Sequence, residues 1–180
     1  THQLAATIWT FLAFALDAIA IAAQAITGRY LGAGDLLATR AVTRRMIQWG
    51  VVSGVVTGLG LAAAAPLLGP LFTSDAAVHD MLWPVLLVAA LFQPVAGLVF
   101  VLAGVLIGAG DGRYLAWGGL VVLAAFAPLA LAVAALADAP GPGLVWLWVV
   151  FGVAFMGSRG VVLLHRARGT RWMATGASVR

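Results

Sequence analysis

Asp17 is the one charged residue in an apolar run from Leu4 to Thr27. A charge at the middle of a bilayer costs about 2.5–3.5 kcal/mol on insertion scales, and such groups face a bundle interior, water, an ion or a proton donor. Thr7, Thr10, Asp17 and Gln24 follow one another at offsets of three, seven and seven residues. One face of an α-helix accommodates that spacing, and Gly28 continues it. The stripe suits a cavity wall, with Asp17 as a proton or cation site and Thr10 and Gln24 as polar lining. Hydrocarbon disfavours the charged form of a carboxylate, so such a group can exchange a proton between two access states. The alternative is a buried carboxylate hydrogen-bonded to neighbouring helices for packing alone.

Gln93 and Pro94 stand together near the centre of a second apolar run. Proline removes a backbone donor, bends a helix and frees a carbonyl. Bent helices at mid-membrane often line transport sites, so Gln93 and Pro94 are further candidates for cavity lining; a purely structural kink is the other reading. A third pattern is an echo. Leu31-Gly32-Ala33-Gly34-Asp35 recurs as Ile107-Gly108-Ala109-Gly110-Asp111. Gly32, Gly34, Asp35, Gly108, Gly110 and Asp111 therefore read as helix-end turns, each with an acid placed for a charged latch to a nearby Arg. Neither copy is a phosphate loop, since no Gly-Lys-Ser/Thr follows and no strand precedes.

Other chemistry finds little to work with. There is no Cys, Glu or Lys, no Gly-x-Ser-x-Gly, no His-Glu-x-x-His and no pair of acids within one apolar run. An enzyme, a metal site and a cofactor are not expected. The net charge of +4 is small and dispersed, which argues against nucleic acid.

The elements that hold these residues follow from composition. Hydrophobic residues make up 63% of the 180 and charged residues 9%, against about 45–50% and about 25% in ordinary soluble domains. A helix needs about 20 mostly apolar residues to cross about 30 Å of hydrocarbon. Five stretches qualify, near 4–27, 46–72, 82–107, 115–136 and 144–164. The gaps between them carry Gly, Pro or Asp as breaks. The expected fold class is an all-α membrane protein, a transmembrane bundle over residues 1–165 followed by a basic tail over 166–180.

Arginine orients the bundle. Arg29, Arg40, Arg44 and Arg45 fall in the first gap, Arg113 in the third, and Arg166, Arg168, Arg171 and Arg180 in the tail. The second and fourth gaps hold only the acids Asp75, Asp80 and Asp138. The positive-inside rule then makes the first and third gaps and the C-terminus cytoplasmic and starts the chain outside. Trp9, Trp49, Trp83, Trp117, Trp146 and Trp148 lie near span starts, where an amphipathic ring prefers the headgroup level. Arg159 is expected to snorkel to the inner surface, and the tail to attract anionic lipid. Gly50, Gly54 and Gly58, with Gly97, Gly104 and Gly108, form small-residue faces for close helix packing. Five crossings entered from outside, with no signal peptide in view, lead to the expectation that the chain is the C-terminal part of a longer protein.

His2-Gln3-Leu4-Ala5, Asp17, Ala22-Ala23-Gln24-Ala25, Gly28-Arg29 and Leu31 to Asp35 resemble the eighth membrane helix of MATE multidrug efflux transporters, nearest to the DinF-like branch. Gln93-Pro94, Phe100-Val101-Leu102 and Gly104 to Asp111 resemble that family's tenth helix. The resemblance implies twelve helices in two six-helix lobes in the plasma (inner) membrane. Amphipathic substrate lies between the lobes, and H+ or Na+ drives alternating access. The five spans are then helices eight to twelve, and the N-terminal lobe is the missing partner. Relatives often carry an acid where this sequence has Ala103, and in DinF-like relatives an N-terminal-lobe acid carries the coupling proton. Under the resemblance Asp17 either carries a proton itself or shapes and gates the cavity. Two rivals remain: a flippase for lipid-linked precursors, which needs several cavity cations for phosphates, and a membrane scaffold, which predicts a fully hydrogen-bonded Asp17 and no cleft.

Overall fold

Among the described residues five helices are long and apolar enough to cross a membrane. The computed structural model describes residues 1–72, 74–137 and 139–174. Thr73 and Asp138 of the second and fourth gaps, and tail residues 175–180 with Arg180, lie outside the described residues. The first four spans are α1 (His2–Gly32), α2 (Leu36–Phe72), α3 (Ala76–Gly108) and α4 (Gly112–Leu136). The fifth is composite: α5 (Pro140–Val150), a π-helical stretch Phe151–Gly157, and α6 (Ser158–Arg168). At 1.5 Å per residue α2 is about 55 Å long. Its apolar run is therefore the later part of a longer helix whose first turns carry Arg40, Arg44 and Arg45.

The repeated glycine motif is a repeated stop. Gly34 and Gly110 both take φ 74°, a conformation that costs glycine nothing sterically. The Gly34 amide donates to the Leu31 carbonyl at 3.0 Å and the Asp35 amide to Tyr30 at 3.0 Å. The Gly110 amide donates to Ile107 at 2.9 Å and the Asp111 amide to Leu106 at 3.0 Å. These paired bonds satisfy the last carbonyls of α1 and α3 in the same Schellman geometry. The acids then diverge. Asp35 accepts the Ala38 amide at 2.9 Å and starts α2, whereas Asp111 reaches α6.

The core centres on α3, which touches every other span. Its N-terminal half packs Leu82, Val85, Leu86 and Ala89 against Ala5, Leu61, Ala65 and Trp148. Its C-terminal half packs Val99, Leu102, Val105 and Leu106 against Ala23, Leu31, Met156, Leu163 and Trp172. Glycine makes both tight crossings. A methyl on Gly97 would collide with the Gly50 carbonyl oxygen, and one on Gly54 with that of Gln93. On the other side, methyls on Gly104 and Gly108 would strike the carbonyl oxygens of Ala20 and Gln24. Backbones this close leave no room for a side chain, as small-residue membrane interfaces require.

Two expectations about aromatic residues divide. Trp49, Trp83, Trp117 and Trp146 are exposed. Trp148, however, is 5% exposed and packs edge-on against Trp9 and Phe151. Trp9 and Trp148 therefore join α1 to the fifth span, and the Trp148 ring also meets His2 at the start of α1.

Candidate functional site

The second half of the polar stripe of α1 meets α3 and the fifth span at a cleft of about 300 Å³. Asp17 and Gln24 line it from α1, Phe100, Ala103 and Ile107 from α3, and Phe155, Met156 and Arg159 from the fifth span. Asp17 and Gln24 are both exposed, so the cleft opens on the surface of the bundle. The tight contact of Gly104 with Ala20 of α1 lies at its back wall.

Arg159, expected at the inner surface, lines this cleft together with Asp17. It stands nine positions before the end of α6 at Arg168, about 13–14 Å along the helix at 1.5 Å per residue. The π-helical stretch just before it widens the helix and resets the facing of α6, and such stretches frequently mark functional sites. Gly152 seats this stretch against the Phe92 ring, where a methyl would collide. The Ser158 hydroxyl donates to the Ala154 carbonyl at its end. Among the described residues neither Asp17 nor Arg159 forms an ion pair. The cleft thus offers a carboxylate and a guanidinium, both free for a ligand or for each other, between apolar walls.

The other expected lining residues lie elsewhere. Gln93 is 1% exposed. It sits in the α2–α3 crossing, its Oε1 3.4 Å from the Thr57 hydroxyl, which also lies 2.9 Å from the Ser53 carbonyl. Pro94 is in the same crossing, with its Cα against Gly54. Helix α3 continues unbroken through it. The carbonyl that Pro94 leaves without a helical donor is that of Ala90, and it faces Gly58. The three glycines of α2 bring its backbone onto this stretch of α3, and Pro94 lines a separate apolar recess with Gly58, Leu59 and Leu91. Thr10 is exposed on α1, its hydroxyl donating to the Ala6 carbonyl at 2.8 Å, and is not part of the cleft.

Of the helix-end turns, Asp111 makes the latch. Arg166 Nε donates to Oδ2 at 2.5 Å and its Nη2 to Oδ1 at 3.1 Å, a two-pronged pair. The guanidinium carbon lies 4.7 Å from the centre of the Tyr114 ring, whose hydroxyl donates to the Val162 carbonyl at 2.9 Å. The partner is thus 55 residues away in sequence, not the neighbouring Arg113. Asp35, the other expected latch, caps its own helix instead. Among the described residues no three His or Asp side chains come together as metal ligands would.

The family model described as MatE matches residues 1–136. Among curated relatives, the chain is 32% identical over 151 residues to Protein DETOXIFICATION 44, chloroplastic, of Arabidopsis thaliana, covering 82% of the chain and 27% of that protein. It is 28% identical to Protein DETOXIFICATION 45, chloroplastic, of the same organism, over 92% of the chain and 28% of that protein. With Protein DETOXIFICATION 43, also from Arabidopsis thaliana, it shares 31% identity over 97% of the chain and 31% of that protein. The chain thus spans about a third or less of the length of these relatives. No solved structure matches it.

Proposed function

The chain belongs to the MatE family, and on that premise we propose that its five helices form the substrate-facing part of the C-terminal lobe of a multidrug exporter. The exporter moves amphipathic, cationic compounds by alternating access, driven by H+ or Na+, in a plasma (inner) membrane with the C-terminus cytoplasmic. The names of the relatives, all DETOXIFICATION proteins, support export of toxic compounds. The partner lobe closes the open side of the cleft, and the resemblance over residues 2–35 and 92–114 favours the DinF-like branch.

One observation carries this reading: the intramembrane carboxylate of Asp17 stands in an open, apolar-walled cleft without a protein partner among the described residues. A scaffold would saturate that carboxylate and close the space around it. Gln24 adds a neutral donor and acceptor beside it. Arg159 in the same cleft favours the second reading, a flippase for lipid-linked precursors, but one guanidinium is fewer cations than a diphosphate takes.

The test is dye efflux from cells expressing the complete gene in a strain without other exporters. Asp17→Asn lowers efflux of a cationic dye roughly tenfold, the equivalent of one lost charge interaction of about 1.4 kcal/mol, or abolishes its pH dependence. Efflux unchanged in rate and pH profile rejects the assignment.

A further inference from the structure

We infer that the Arg-rich end of the bundle carries a built site for the phosphate group of an anionic lipid, formed by Arg168, Thr170 and Arg171 beside α4. This is independent of the transport reading above.

The segment after α6 is a fixed turn. The Gly169 amide donates to the Arg166 carbonyl at 3.1 Å and the Met173 amide to Thr170 at 3.0 Å. Trp172 folds back into the core at 2% exposure, with Met173 at 8%. Its indole N–H lies 3.0 Å from the Gly169 carbonyl oxygen and 3.2 Å from that of Ala167. With Trp172 held inside, Arg168, Thr170 and Arg171 are turned outward and exposed. They line a recess of about 650 Å³ with Tyr114, His165 and Arg166.

The charge in that recess is available. Arg166 is committed to Asp111, and among the described residues Arg168 and Arg171 form no ion pair. Two guanidiniums and a hydroxyl match the oxygens of a phosphate. The Arg166–Asp111 pair also fixes the depth of the recess. It ties the turn to the end of α3, where the apolar run stops, and hence to the headgroup layer. Basic pockets at this level between membrane helices hold phospholipid headgroups.

The neighbouring surface selects a lipid over a free phosphate. Tyr114 bonds to the Val162 carbonyl, so α4 and α6 are adjacent beside the recess. From there Trp117 and Val121 of α4 and Val161 of α6 are exposed, an apolar surface for an acyl chain.

Native mass spectrometry of the detergent-purified protein, titrated with phosphatidylglycerol or phosphatidylcholine, tests the site. The unmodified protein retains phosphatidylglycerol in preference. Arg168→Gln with Arg171→Gln weakens that retention roughly 30-fold, two charges at about 1 kcal/mol each. Arg168→Lys with Arg171→Lys keeps the preference. The charge-matched pair Arg40→Gln with Arg44→Gln on α2 leaves it intact, which separates the site from net charge and from misfolding. Equal loss in both Gln pairs, or no preference in the unmodified protein, overturns the inference. Displacement of the bound lipid by inorganic phosphate at equal concentration overturns the lipid as occupant.

Discussion

At the scale of single residues, two charged side chains face the cleft and one ion pair ties α3 to α6. Asp111 and Arg166 are part-buried and joined by two hydrogen bonds. Removing one member leaves the other without its partner. Asp111→Asn or Arg166→Gln lowers stability by about 1–3 kcal/mol in thermal unfolding of the detergent-solubilised protein. The double variant costs clearly less than the sum of the two, and strict additivity would show that the pair contributes nothing. Asp17 and Gln24 were legible in the sequence, because seven residues is two helical turns and the two share a face. Arg159 was not. Its facing depends on a π-helical stretch that composition does not announce; the trace of that stretch is the glycines Gly152 and Gly157 toward either end of Phe151–Gly157. Gln93 was legible as a polar residue at mid-span, but nothing local distinguishes a helix crossing from a cavity wall.

At the scale of helices, glycine decides which surfaces meet. Gly97→Ala and Gly54→Ala each press a methyl into a facing backbone oxygen, which side-chain rotation cannot relieve. Each costs about 1–3 kcal/mol, as overpacking does elsewhere, read as a fall in the unfolding midpoint. Gly60, with nothing within 4 Å of an added Cβ, is the control: Gly60→Ala is neutral or up to about 1 kcal/mol stabilising. The twin turns give a separate prediction. Gly34→Ala and Gly110→Ala force a Cβ into positive φ and cost about 1–2 kcal/mol each. A smaller cost would mean that the Schellman closure relaxes. The small-residue spacing of α2 was legible as a packing face, yet its partner was not. All five runs are similarly apolar, so periodicity could not tell that α3 receives both crossings. The informative detail is that glycines on α3 face two ways, Gly97 toward α2 and Gly104 and Gly108 toward α1.

At the scale of the whole molecule, five spans and the all-helical class were readable from the length of the apolar runs alone. Orientation rests on arginine, and the absence of Cys from the chain makes it simple to check. With single cysteines in a Cys-free version of the complete protein, Ser74→Cys reacts with a membrane-impermeant maleimide added to intact cells. Arg113→Cys reacts only after the cells are opened. The reverse pattern inverts the topology. The order of synthesis adds something that the finished bundle conceals. Helix α3 is made after α1 and α2, so the α1–α2 hairpin enters the bilayer before the glycine face of α2 has a surface to close on. Membrane helices insert first and associate afterwards. Asp17 enters before Arg159 has been translated. Through that interval its carboxylate must be sheltered by water, by lipid headgroups or by the insertion machinery, and the stripe that later serves the cleft is the part of the nascent chain hardest to seat.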